Sequence, residues 1–147
     1  MLLTLSRVWE ASLADGLTPL GLTTRKYGLL GHIRATPGIS FSELARRSRI
    51  SVQSAHTAVS AFVRDGLVDD GTAHAGSASQ LRVTPRGESV LAKAAEVVVR
   101  LDTEFVARDP DLVAVLRDHM ERAVSDDPTF SSVSYTHLRA HETVLDL

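Results

Sequence analysis

A helical segment with an unusual polar face lies in the stretch SRISVQSAHTAVSAFVRDGLV, from Ser48 to Val68. An exposed helix face normally carries long charged residues, which are good helix formers. Here the corresponding positions hold the short residues Gln53, Thr57 and Ser60, with a single arginine at the end. Amide and hydroxyl side chains of this length donate and accept hydrogen bonds close to the backbone. This face is therefore suited to direct hydrogen bonding with a partner that approaches the helix closely.

The charges are divided between two blocks of the chain, although the net charge is only −2. From Thr23 to Arg86, nine Lys and Arg residues stand against four acidic residues, which gives +5. From Gly87 to Ser132, five basic residues stand against ten acidic ones, which gives −5. Because the polar face lies in the basic block, we expect its partner to be a polyanion.

Two helices are predicted ahead of the polar face. The first runs from Leu2 to about Asp15 with an apolar stripe at helical spacing, and Gly16 is expected to end it. Thr23 is expected to cap the second helix, which continues until the TPG sequence at 36–38. The length of 147 residues and the hydrophobic content of 44% indicate that these helices pack in one globular domain.

Two short helices joined by a tight turn follow. Ser40 and Glu43 form the pattern of a capping box, in which the serine accepts from the Glu43 amide and the Glu43 side chain reaches back. The residues SRI then lead to Ser51, a second N-cap candidate, and the helix that begins there ends at Gly66. The apolar face of this helix is formed by Ala55, Val59, Phe62 and Val63.

A β-hairpin and two long helices complete the predicted elements. LVDD and SQLRVT are the predicted strands, on either side of a polar loop that contains glycine. Thr84 is expected to cap the fifth helix, with Pro85 at its first position, and this helix runs to about Val106. Asp109 and Pro110 open the sixth. Since the fifth helix is apolar around more than one face, we expect it to be buried on more than one side.

This order of elements within a basic block predicts a mainly α fold, a winged helix-turn-helix with about six helices and a two-stranded wing. In that fold the second helix of the motif lies in the major groove of double-stranded DNA, with its N-terminal half at the base edges. Short polar side chains permit that approach, and Gln can pair with adenine. The candidate base-reading residues are Ser51, Gln53, Ser54, His56, Thr57 and Ser60. The candidate phosphate-binding residues are Arg46, Arg47, Arg49, Arg64 and Arg82.

Several of these residues also have a purely structural interpretation. Ser51 is first an N-cap, and His56 lies toward the side of the helix, where it could be a packed residue. The Arg46–Arg47 pair could form a solvated face. Gln53 and Thr57 lie nearly opposite the apolar stripe, so packing in the core does not account for them.

The order of elements resembles the MarR family of transcriptional regulators, from Leu2 to about Asp127. The matching sequences are PLGLTTRKYGLLGHI, PGISFSELARRSRISVQSAHTAVSAFVRDGLV and LRVTPRGESVLAKA. The resemblance implies a ligand-responsive repressor that binds a palindromic operator as a homodimer. It also implies a small-molecule effector of unknown identity, bound in a cleft between the dimer helices and the DNA-binding lobe.

A division of the chain follows from the same resemblance. Residues 1–22 and 85–132 would form the helical dimerisation region, and residues 23–84 the DNA-binding lobe. The apolar character of the fifth helix supports a shared interface independently. The predicted interface residues are Leu5, Trp9, Leu91, Val98, Leu101, Phe105, Leu112 and Leu116.

The wing departs from the family pattern. Such proteins usually carry an acidic residue followed by two arginines there, whereas DDGTAHAGSASQ begins with Asp69 and Asp70 and has no arginine before Arg82. The position of Thr57 also often holds arginine. The wing contact would then be limited to His74 and backbone groups, and DNA affinity would be lower. The alternative function is a protein-interaction module built on a degenerate winged helix, without specific DNA binding.

Other classes of protein are disfavoured by the composition. The absence of cysteine removes disulfides, thiolate nucleophiles and thiolate zinc sites. The histidines are scattered and accompany no carboxylate pair or phosphate loop, so we expect no enzyme, no cofactor and no metal site. No apolar run reaches bilayer length, and we expect a cytoplasmic protein without a membrane partner.

The segment from Val133 to Leu147 is expected to be an artefact. Its sequence VSYTHLRAHET resembles the translation of a transposon-end adapter used in DNA library preparation. His137 and His141 stand four residues apart within it, a spacing that can hold a metal ion on one helix face. Because the segment is expected to carry no selected function, we draw no metal site from this spacing.

Overall fold

The computed structural model describes residues 2–71 and 80–126, and this part of the chain is mainly helical. The elements are α1 (Leu2–Leu17), a 3₁₀ turn (Thr18–Leu20), α2 (Thr24–Ala35), α3 (Phe41–Arg47), α4 (Val52–Arg64), β1 (Val68–Asp69), β2 (Arg82–Val83), α5 (Pro85–Arg108) and α6 (Pro110–Asp126). Their order confirms the predicted winged helix-turn-helix fold. The predicted dimerisation stays a prediction, and both His74 and the segment from Val133 lie outside the described residues.

The chain divides into two compact units between Leu101 and Asp102. The first unit holds α1 to α4, the hairpin and most of α5, and the second begins within the last turns of α5 and includes α6. The predicted division at residues 22 and 85 stays a prediction. Within the described residues, no helix combines the length and the apolar character needed to cross a membrane.

The core of the first unit takes side chains from every helix of that unit and from the hairpin. Its largest fully buried side chains are Phe62, Leu17, Leu30, Ile33, Leu44, Leu81, Leu91 and Val59. α4 contributes Ala55, Val59 and Phe62 as predicted, but Val63 is 38% exposed. The prediction for Val63 was wrong because this residue lies at the edge of the stripe, in the last turn of the helix.

The helix caps lie where the sequence predicts them. The hydroxyl of Thr23 accepts a hydrogen bond from the Lys26 amide (3.1 Å), and that of Ser51 accepts one from the Ser54 amide (3.1 Å). Ser40 accepts from the Glu43 amide at 3.2 Å, which confirms one half of the capping box. The other half was wrong, because the Glu43 carboxylate binds arginines of its own helix.

The end of α4 leads directly into the wing. Gly66 adopts a left-handed backbone (φ 72°) that favours glycine, and the Leu67 amide donates to the Phe62 carbonyl at 2.8 Å. This closure turns the chain into β1, where Val68 pairs with Val83 in the antiparallel hairpin. The first strand of the wing therefore begins directly after the buried end of α4.

A single threonine links the end of α4 to the start of α5. The Thr84 hydroxyl donates to the Gly66 carbonyl at 2.7 Å and accepts from the Gly87 amide at 3.1 Å, which confirms Thr84 as the cap of α5. The Thr84 amide also donates to the Leu67 carbonyl at 3.0 Å. The Thr84 clasp, as we call these three bonds, joins the two helices through one residue.

The predicted end of α1 at Gly16 was wrong, because the helix continues to Leu17. A Cβ atom at position 16 would overlap the side chain of Val97 in α5. The glycine therefore permits close helix packing and does not terminate the helix. Termination occurs at the following 3₁₀ turn, which Gly21 closes with a left-handed backbone (φ 70°).

Gly87 gives a test of the packing between α5 and the hairpin. A Cβ atom there would overlap the Leu67 carbonyl oxygen, which the Thr84 amide holds in place. We predict that Gly87→Ala lowers the free energy of unfolding by about 1–3 kcal/mol, measured by urea denaturation. Gly28→Ala is the matched control, because the space around Gly28 in α2 is open. The control should raise the free energy of unfolding by roughly 0.5–1 kcal/mol, and equal effects of the two changes would contradict the packing.

Candidate nucleic-acid interface

The exposed face of α4 carries the polar residues predicted from the sequence. Gln53, Thr57 and Ser60 are exposed, while Ala55 and Val59 on the opposite side are buried. The Gln53 amide has no hydrogen-bond partner among the described residues. It is therefore available to a partner molecule with both its donor and its acceptor groups.

The hydroxyl groups near the start of α4 are partly used within the helix. Ser51 and Ser54 hydroxyl oxygens lie 2.9 Å apart, and the Thr57 hydroxyl donates to the Gln53 carbonyl at 3.0 Å. Hydroxyl oxygens that donate in this way can still accept hydrogen bonds. The Thr57 hydroxyl is thus better placed to accept from a base than to donate to one, while one of the two serine hydroxyls keeps a free donor.

His56 is packed against the preceding helix of the motif. Its ring stacks on that of Phe41 with centroids 3.8 Å apart and an angle of 16° between the planes. Such a stacked pair fixes the orientation of α3 relative to α4. The structural interpretation of His56 has this direct support, and its predicted role as a base contact stays a prediction.

Glu43 organises two of the predicted phosphate-binding arginines. Its carboxylate accepts from the Arg46 guanidinium at 2.6 and 2.9 Å and from Arg47 Nε at 2.6 Å. Arg47 also donates through Nη1 to the Thr36 hydroxyl at 2.8 Å. The hydrogen bonds from Arg46 and Arg47 lower the pKa of Glu43 to about 2. The cluster therefore has one negative charge at its centre and two positive charges around it. Guanidinium N–H groups that do not bond to Glu43 can still donate to a phosphate.

A half-buried histidine lies close to this cluster. Burial lowers the pKa of His32, and the charge of Arg47 lowers it further. His32 is therefore neutral at pH 7, because its ordinary pKa is already about 6.5. The positive charge of the cluster comes from its arginines alone.

The remaining predicted phosphate contacts lie at separate positions on the first unit. Arg49 is exposed in the turn between α3 and α4 and has a left-handed backbone (φ 51°) that normally favours glycine. Arg64 donates to the Asp65 carboxylate at 3.2 Å, and Arg82 stands opposite Asp69 in the hairpin. The structure thus gathers the arginines into one cluster and three single positions.

Two cations beside α4 are not among the residues predicted from the sequence. A cleft of about 370 Å³ separates the first turn of α2 from the polar face of α4. Its lining consists of Thr23, Arg25, Lys26, Leu29, Ile50, Gln53, Ser54, Thr57 and Ala58. Cations in the first turn of a helix oppose the helix dipole, so Arg25 and Lys26 do not benefit α2 there. That misplaced charge is the sequence signal that could have identified them.

The predicted interface residues differ in exposure within the single chain. Leu91 is only 2% exposed and packs in the core of the first unit, so its burial requires no second copy. Leu112 in the second unit is 39% exposed. The side chain of Leu5 lies outside the description, and the partly buried members are Trp9, Val98, Leu101, Phe105 and Leu116. Their place in an interface stays a prediction.

Comparison with known proteins gives a consistent result. A family model described as the MarR family matches residues 20–75, which include α2 to α4 and β1. The HTH-type transcriptional repressor Rv2887 of Mycobacterium tuberculosis is 33% identical to this chain over 103 residues. The matched stretch covers 69% of this chain and 73% of that repressor.

Solved structures of the same repressor are also similar to this chain. Its complex with DNA has a TM-score of 0.68 and 25% identity, covering 82% of this chain and 92% of that one. Its complex with salicylic acid has a TM-score of 0.63 and 26% identity, covering 85% and 91%. The similarity therefore extends well beyond the helix-turn-helix segment.

The ion pairs of Glu43 should make stability depend on pH. Because the pKa of Glu43 is about 2 in the folded chain and about 4.3 in unfolded peptides, the charged form favours folding. This stabilisation is complete above about pH 5 and is lost as the pH falls toward 2. We predict that Glu43→Gln lowers the Tm at pH 6, and that its difference from the unmodified chain shrinks as the pH falls to 3. Differential scanning calorimetry measures this difference.

Glu96→Gln is the matched control for this measurement. Glu96 is exposed on α5 and makes no ion pair within the described part of the chain. The control should leave the Tm of the chain nearly unchanged at both pH values. A Tm difference for Glu43→Gln that is the same at pH 6 and pH 3 would contradict the role of its charge.

Proposed function

The chain belongs to the MarR family, and on that premise we propose that it is a DNA-binding transcriptional repressor that acts as a homodimer on a palindromic operator. The observation that carries the proposal is the exposed polar face of α4, where the Gln53 side chain has no partner among the described residues and Thr57 and Ser60 lie beside it. A solvated helix would gain more from long charged residues at these positions. The DNA complex of the related repressor supports the same partner for this chain.

In the proposed complex, α4 enters the major groove with its first turns at the base edges. Gln53 can form two hydrogen bonds with adenine, and Thr57 can accept from a base amino group. The Arg46–Arg47 pair, held by Glu43, would contact phosphates on one side of the groove. Arg25 and Lys26 would add phosphate contacts across the cleft on the other side.

A small-molecule effector would regulate this binding. The related repressor is known in complex with salicylic acid, which supports a small organic acid as the first effector to examine. An effector changes DNA affinity only if it binds one conformation of the protein better than the other. As a regulator of transcription, the chain would act in the cytoplasm and carry no enzymatic activity.

The homodimer would form through the apolar faces of α1, α5 and α6. A two-fold axis places two copies of α4 about one turn of B-DNA apart, so the operator would be palindromic. Residues 1–22 and 85–132 would then serve dimerisation, and residues 23–84 would serve DNA binding. The exposure of Leu112 in the single chain is consistent with a surface that a second copy covers.

The base-reading role of α4 can be tested against its phosphate contacts. A duplex selected by the chain from a random pool serves as the specific site, and its scrambled sequence serves as the reference. We predict that Gln53→Ala weakens binding to the selected duplex by about 1–3 kcal/mol and leaves the scrambled duplex unaffected. Arg47→Ala should weaken both and reduce the salt dependence by about one counterion. Fluorescence anisotropy at several salt concentrations gives all these quantities.

Two results would contradict this assignment. Equal losses on both duplexes for both variants would remove base reading by α4. A folded, self-associating chain that ignores every duplex at low salt would remove the proposed function and leave the protein-interaction module.

The dimer interface can be tested through α6. We predict that Leu112→Glu converts the dimer to a monomer, because a buried carboxylate without a partner is strongly unfavourable. Sedimentation velocity gives the mass in solution. Ala114→Glu is the matched control, since Ala114 lies on the opposite side of α6 and should leave the dimer intact. A monomer in both variants, or a dimer in both, would contradict this interface.

A further inference from the structure

An exposed valine is the first residue of α4. This residue, Val52, is 44% exposed. The other exposed large apolar residues in the described part of the chain are Leu3, Val8, Val63, Val106, Leu112 and Val115. These lie on α1, on the last turn of α4, and on α5 and α6. Val52 therefore stands apart by its position, since it is the exposed large apolar residue in the first turn of α4.

Val52 continues the apolar stripe of α4 at helical spacing, but it lies beyond the part of the stripe that the core buries. The core-facing stripe of α4 is formed by Ala55, Val59 and Phe62, and Ser51 provides the cap. Ile50, before the cap, is the residue that packs partly against the core. The first position of a helix favours proline or acidic residues, and a β-branched side chain gains nothing there.

The major groove offers one apolar group that such a side chain can recognise. Among the base edges exposed there, the C5-methyl group of thymine is the single apolar feature. Val52 lies beside Gln53, in the part of the recognition helix that is nearest to the bases in the proposed complex. Burial of a valine side chain against a methyl group is favourable because both lose apolar surface to water.

We propose that Val52 reads a thymine methyl group in the operator, next to the base that Gln53 contacts. This inference rests on the proposed function. It adds an apolar specificity determinant to the first turn of a helix whose polar face would be read by hydrogen bonds. The adjacent pair of side chains would then select a thymine beside an adenine in each half-site.

The methyl group can be removed from DNA without any other change. In a duplex that the chain selects from a random pool, each thymine is replaced by uracil, one position at a time. The unmodified chain should lose about fourfold in affinity at one position per half-site, the factor expected for burial of one methyl-sized group. In Val52→Ala, affinity for the thymine duplex should fall by a similar factor or more, and uracil at that position should cause no further loss.

Val63→Ala is the matched control. Val63 lies eleven residues further along the same side of α4 and is 38% exposed, but it is at the far end of the helix. This variant should keep the full penalty for uracil. Val52→Thr, which keeps the branched shape and one methyl group, should show a reduced penalty, and thermal melts should confirm that all variants are folded.

The outcomes separate the inference from the function on which it rests. If the unmodified chain selects no duplex, both the proposed function and the reading by Val52 are overturned. If it selects a duplex but tolerates uracil everywhere, or if Val52→Ala keeps the full uracil penalty, only the reading by Val52 is overturned. A uracil penalty that disappears in Val52→Ala and persists in Val63→Ala supports the inference.

Discussion

The packing of the apolar stripe of α4 against the core determines which side chains this protein can present to a partner. Ala55, Val59 and Phe62 are almost completely buried, so the rotation of α4 about its own axis is fixed. A change of one residue in register would turn the helix by about 100° and bury part of the polar face. The availability of Gln53, Thr57 and Ser60 is therefore a consequence of three apolar contacts on the other side of the helix.

The Glu43 carboxylate has two effects on the arginines that lie near α4. Glu43 holds Arg46 and Arg47 in defined orientations, which limits the conformational freedom that would otherwise be lost when they bind. The same carboxylate also reduces the net positive charge of the cluster. The cluster therefore has well-defined arginine orientations but a small net positive charge. The overall charge of the chain is likewise small, at −2.

Features that depend on local sequence were predictable, whereas those that depend on distant contacts were not. The caps at Thr23, Ser40, Ser51 and Thr84 follow from side chains that bond to the amide three residues further along. The packing role of Gly16 in α1 depends on Val97, about eighty residues further along the chain. No pattern within α1 contains that information.

The candidate site shows the same division between local and distant contacts. The polar face of α4 could be predicted from helical periodicity, because burial of one face determines the other. The stacking of His56 on Phe41 and the approach of Arg25 and Lys26 to α4 depend on how α2, α3 and α4 meet. These contacts required the structure, although unfavourable charges in the first turn of α2 gave a partial signal.

The Thr84 clasp has a mechanical consequence. It bonds the carbonyl that follows α4 and the amide in the first turn of α5 to one hydroxyl group. A tilt of α5 at its first turn must then carry the end of α4 with it or break both bonds. A small rotation of α5 would consequently be transmitted to α4 and change the direction of its polar face.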